Sequence, residues 1–94
     1  MQAVEAPTQL PDGWRASADS RVVIIDALDA EGHMLGSVTV CEQVRSFALG
    51  VCGIPSPPGG SKYAGRGWRR QLYADAVAAL QAAWDRQVAR QHSI

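Results

Sequence analysis

The chain has 94 residues, nine Lys+Arg against nine Asp+Glu, a formal net charge of zero, 47% hydrophobic residues and 19% charged ones. That length suits a single domain, the composition excludes wholesale disorder, and the neutral balance excludes a generic polycation. No run approaches the roughly 18 apolar residues of a membrane helix. Residues 1–12 carry two acids and no apolar stretch, so they do not read as a signal peptide, and the expected location is cytoplasmic.

Residues 1–12, polar and holding Pro7 and Pro11, are expected to be a flexible tail. One α+β domain should follow over 13–91, with a frayed end at 92–94. Asp12-Gly13 is a turn signal, and Gly13 to Ser17, carrying Trp14, reads as a short edge strand. Arg21 to Leu28 has four β-branched residues in succession and is the clearest strand. It places Val23, Ile25 and Ala27 on one face and is apolar on both faces near its middle, as a central strand would be. Asp29 to Gly32 reads as a hairpin loop, with Gly32 at a left-handed position.

Met34 to Cys41 alternates, with Leu35, Ser37 and Thr39 opposite Met34, Val38 and Val40. Glu42 to Val44 makes the next turn. Arg45 to Cys52 alternates again, with Phe47, Leu49 and Val51 on one side. These runs predict a three-stranded antiparallel meander, four-stranded if the Trp14 segment joins it. Three prolines and two glycines make 54–60 an extended loop. From Gly67 to about Arg90 the apolar residues Tyr73, Val77, Leu80, Trp84 and Val88 recur at helical spacing. Leu72, Ala76, Ala79 and Ala83 broaden that stripe. The expected architecture is therefore α+β in two layers, the meander packed on one long C-terminal helix. The second sheet face then needs a cover: Trp14 with the N-terminal segment, or a second copy of the chain.

Cys41 and Cys52 have no CxxC spacing and no neighbouring histidine, so neither a zinc site nor any other metal is expected. In a 34–41/45–52 hairpin they lie roughly 20 Å apart at about 3.3 Å per residue, too far for a disulfide. Two buried or half-buried thiols are the expectation.

The zero net charge hides a split. Residues 1–44 hold seven acids and two arginines, net −5, and residues 45–94 reverse this to +5. Four cations lie between Lys62 and Arg70, a stretch without an acid. Lys62, Arg66, Arg69 and Arg70 crowd the start of a helix, whose dipole disfavours cations there by about 0.3–1 kcal/mol each at exposed positions. Arg66 and Arg70 also sit at a repulsive i, i+4 spacing. Gly65 and Gly67 let the backbone approach a ligand, and a helix N-terminus presents N–H groups to an anion. The cluster thus reads as an anion site, with Tyr63 and Trp68 as flanking rings able to stack on bases. The bland alternative is a solvated or internally paired cluster, with Trp68 and Tyr63 in the core. His33 and His92 read as bystanders, and no catalytic constellation is present.

Two family resemblances reach these residues. Gly65-Arg66-Gly67-Trp68-Arg69-Arg70 is similar to the G-x-G-x-S-K-K of the double-stranded-RNA-binding-like fold, with Arg69 in the Ser position, Arg70 on the first Lys and Gln71 on the second. That resemblance implies a βββα meander whose helix start contacts phosphates. Lys62-Tyr63-Ala64-Gly65-Arg66-Gly67 also resembles the acetyl-CoA pyrophosphate loop of the GCN5-related N-acetyltransferases, Q/R-x-x-G-x-G/A. This second resemblance implies pyrophosphate held by the N–H groups around Arg66, Gly67 and Trp68. The resulting expectation is a non-enzymatic module without a cofactor, binding a nucleic acid or an acidic protein through 62–70. An acetyl-CoA-binding fragment and a homodimeric interaction subunit are the alternatives.

Overall fold

The computed structural model describes residues 2–50 and 63–92, with side chains up to 86. Five strands run in the order they occur along the chain: β1 (Gln2–Val4), β2 (Arg15–Asp19), β3 (Val22–Leu28), β4 (Met34–Cys41) and β5 (Ser46–Leu49). Every neighbouring pair is antiparallel. One helix, α1 (Trp68–His92), packs across β4 and β5. The architecture is α+β in two layers, and the sheet has one more strand than the largest number expected.

The extra strand comes from the segment expected as a tail. Gln2, Ala3 and Val4 pair with Ala18, Ser17 and Ala16, and Val4, Ala6, Leu10 and Trp14 pack against the core. Three residues with two prolines downstream carry no strand period of their own; the existing edge of β2 supplies the hydrogen-bond partners. Trp14 therefore covers the helix side of the sheet and not its second face. The strand expected at the edge begins at Arg15, two residues beyond Gly13, whose φ of +86° turns the chain, and it lies inside the sheet between β1 and β3.

β3 is central, as its apolar run requires. Ile25 and Ala27 are fully buried against the helix together with Val38 and Val40 of β4 and Leu72, Tyr73, Ala76 and Leu80 of α1. The most buried helix positions are Leu72, Tyr73, Ala76 and Leu80, while Val77 and Trp84 of the expected stripe lie at its margin. Gly36 faces the helix, where an added Cβ would stand 3.3 Å from Leu80 Cδ1.

The alternation expected for β4 fails at its first residues. A register shift beside Ala27 and Leu28 sets Leu28 opposite Met34, leaving Leu35 as an inserted residue. One extra residue inverts the facing of whatever precedes it. Leu35 consequently packs on the core and Met34 turns to the second face, 57% exposed. On that second face lie Arg15, Ser17, Ile24, Asp26, Ser37 and Thr39, set there by the cross-strand register.

Cys41 is a buried free thiol. Cys52, Val51, Lys62 and the proline-rich loop at 54–60 fall outside the described residues, as does the side chain of Val88. None of the helices is long and apolar enough to cross a membrane among the described residues.

Candidate functional site

The loop that enters α1 is built on two left-handed glycines. Gly65 and Gly67 have φ of +82° and +85°, a conformation that costs other L-residues roughly 1–2 kcal/mol. The Trp68 N–H reaches the Gly65 carbonyl at 3.4 Å and the Gln71 N–H donates to the Gly67 carbonyl at 3.1 Å, so the helix begins from a tight turn. Gly67 has no side chain to cap that start, and the first turn contains no acid. The N–H groups of Arg69 and Arg70 consequently have no acceptor among the described residues.

The basic residues divide into two kinds. Arg66 and Arg70 are exposed and form no ion pair among the described residues. Arg69, expected as a ligand-binding cation, is committed inside the chain. Its Nε pairs with Glu42 Oε1, and its guanidinium lies 6.0 Å from the centre of the Tyr73 ring. The Tyr73 hydroxyl donates to the other Glu42 oxygen at 2.6 Å. Burial by itself would raise the Glu42 pKa, but the hydrogen bonds from Arg69 and Tyr73 outweigh it and hold the carboxyl below its usual value. The Tyr73 hydroxyl is pushed well above its ordinary value by burial and by that carboxylate. Glu42 thus joins the β4–β5 turn to the helix start.

The two expected stacking rings are also engaged. Tyr63 is 4% exposed, and its hydroxyl donates to Asp75 Oδ2 at 2.8 Å. Burial, then the Asp75 carboxylate, push its pKa up to about 12. This ring belongs to the core, one of the two placements its sequence position allowed, and presents no open face to a base. Trp68 is half-buried, and the Arg45 guanidinium covers one ring face 4.2 Å from the centroid.

Arg45 and Glu42 were missed by the sequence reading. Arg45 closes the β4–β5 turn in a left-handed conformation, φ +51°, its N–H donating to the Glu42 carbonyl at 3.1 Å. From there its Nη1 donates to the Tyr63 carbonyl at 2.9 Å. Turn residues that reach across to a helix more than 17 residues away leave no local pattern; the only sequence signal is an acid and a cation bracketing a short turn.

Beside the helix start lies an open cleft of about 730 Å³, between the N-terminal segment (Glu5, Pro7, Thr8, Gln9) and Arg69 and Arg70. The cleft offers an anion the exposed Arg70 guanidinium, with Arg69, already paired with Glu42, beside it and Glu5 as the opposing charge; Arg66 does not line it. Away from this end, the β3–β4 loop brings Asp29, Glu31 and His33 within 4.8 Å of one another. That grouping is a turn device: Asp29 Oδ1 accepts from the N–H groups of His33 at 2.8 Å and Glu31 at 3.0 Å. The His33 N–H chiefly holds the Asp29 carboxyl below its usual pKa.

No protein-family model, no curated protein and no solved structure matches this chain.

Proposed function

We propose that this protein is a non-enzymatic binding module that takes the phosphate backbone of a nucleic acid at the start of α1. The observation that carries this reading is a long helix opened without an acid or a side-chain cap, flanked by two exposed arginines that find no partner among the described residues. Folding alone disfavours that placement, because the helix dipole opposes cations at its start. A phosphate would reverse that term, accepting from the N–H groups and from the guanidinium groups of Arg66 and Arg70. The resemblance to the double-stranded-RNA-binding-like fold supports the same end of the helix as the contact region.

The internal pairing of Arg69 sets the scale. Arg66 and Arg70, with Lys62 alongside in sequence, allow two or three phosphate contacts, so log K should fall with log salt at a slope of about −2 to −3. Fluorescence anisotropy with duplex RNA and duplex DNA between 50 and 300 mM salt measures it. Arg66→Glu with Arg70→Glu should remove about two from the slope. No binding at 50 mM salt, or a slope indifferent to that double change, refutes the proposal. Binding of acetyl-CoA without binding of either duplex would move the reading to the nucleotide alternative.

A further inference from the structure

The sheet's second face holds a separate cleft of about 570 Å³, within the usual range for small-molecule sites. Its lining includes Ala3, Arg15, Asp19, Ile24, Asp26 and Met34, which the strand register places on one side of β1 to β4. No described element packs over this face, since α1 lies on the other. We infer that this cleft binds a small organic ammonium ion with an apolar body, and that Asp26 is its counter-ion.

Asp26 is the reason. Its side chain is 11% exposed, in the middle of a strand otherwise made of apolar residues. Oδ1 accepts from the Ser37 hydroxyl at 2.8 Å. Among the described residues Oδ2 meets no hydrogen-bond donor; it stands in an ion pair with Arg15 Nε at 3.5 Å, and the Arg15 side chain is 66% exposed. A carboxylate accepts several hydrogen bonds, and with Oδ1 taken by Ser37 the Oδ2 atom remains an acceptor open at the wall of the cleft. Asp19 and Asp26 against Arg15 leave the lining with a net charge of −1. The rest of the wall, Ala3, Ile24 and Met34, offers an apolar surface to a hydrocarbon body, with Met34 as the adaptable element. An ammonium group donates short charge-assisted bonds to a carboxylate, and Arg15, held only loosely, is the group it would displace.

The site shares no residue with the helix start, so the two proposals fail independently. Hexylammonium and benzylammonium are the probes, with 1-hexanol and benzyl alcohol as neutral isosteres, followed by NMR amide and methyl shifts. The ammonium ions should move Ile24, Asp26, Met34 and Ser37 while leaving Arg66 to Arg70 in place. The alcohols should bind at least about tenfold more weakly. Asp26→Asn keeps an acceptor for Ser37 and should cost at least about tenfold in ammonium affinity. Arg15→Gln removes the competing cation and should strengthen binding by roughly three- to tenfold. Equal binding of amines and alcohols, an unchanged affinity in Asp26→Asn, or weaker binding in Arg15→Gln overturns the inference. Thermal melts of both variants confirm that each is folded before it is titrated.

Discussion

Replacing Glu42 by Gln isolates the charge that joins the β4–β5 turn to the helix start. The amide keeps an oxygen for the Tyr73 hydroxyl, which Glu42 now holds at 2.6 Å, and loses the ionic pairing with Arg69. The side chains of Glu42 and Arg69 are 32% and 55% exposed, so solvent screens the pair, and it is worth at most about 1 kcal/mol. Exchanging a charged acceptor for a neutral one at the tyrosine adds a few tenths more. A loss of about 1 kcal/mol should lower the melting temperature by roughly 4–8 °C in a domain of this size. The pH dependence fixes the cause. The folded carboxyl is held below its unfolded value of 4.5. Its contribution is therefore complete above about pH 4.5 and disappears as the pH falls through the lower folded value. Urea unfolding at pH 7 should separate the wild type from Glu42→Gln, and at pH 3 the gap should narrow. Equal midpoints at pH 7, or an undiminished gap at pH 3, would refute the argument.

Three further outcomes follow from the same geometry. Glu42→Gln also releases Arg69, so duplex affinity should rise and the salt slope should steepen by about one; anisotropy at two salt concentrations checks this. Tyr63→Phe removes a buried hydroxyl donating to Asp75 and should cost about 1.5 kcal/mol in urea unfolding, while Asp75→Asn should bring the Tyr63 titration down from about 12 toward 10 in an ultraviolet pH titration. An added Cβ at Gly65 or Gly67 meets no atom within 4 Å, so alanine there should cost only the left-handed backbone, roughly 1–2 kcal/mol, and asparagine less. Alanine variants as stable as the parent in denaturant melts would contradict those φ values.

Much of the fold was legible because it is written in short-range pattern. Four consecutive β-branched residues make Val22–Leu28 a strand wherever it lies, and an apolar stripe in an alanine-rich run makes Trp68–His92 a helix. The facing of Val23, Ile25 and Ala27 followed from period two alone. β1 was not legible, since Gln2–Val4 becomes a strand only because β2 offers an edge. The bulge at Leu35 was hidden too: exchanging the faces of Met34 and Leu35 depends on how Leu28 pairs across the hairpin, which alternation within β4 cannot register.

The candidate site divides in the same way. Sequence alone located a basic, glycine-hinged helix start at 65–70, because turn chemistry and the dipole are local properties of consecutive residues. Which of its side chains remain available was decided by tertiary structure. Glu42 takes Arg69, Asp75 and burial take Tyr63, and Arg45 covers Trp68. Each of these partners except Asp75 comes from the β4–β5 turn, brought against the helix by the packing of Val40, Leu72 and Tyr73. The −5 and +5 halves of the chain are thus partly neutralised where they meet, by the pairing of Glu42 with Arg69. A charge's availability depends on what the fold sets beside it, and neighbours distant in sequence leave no trace in local pattern.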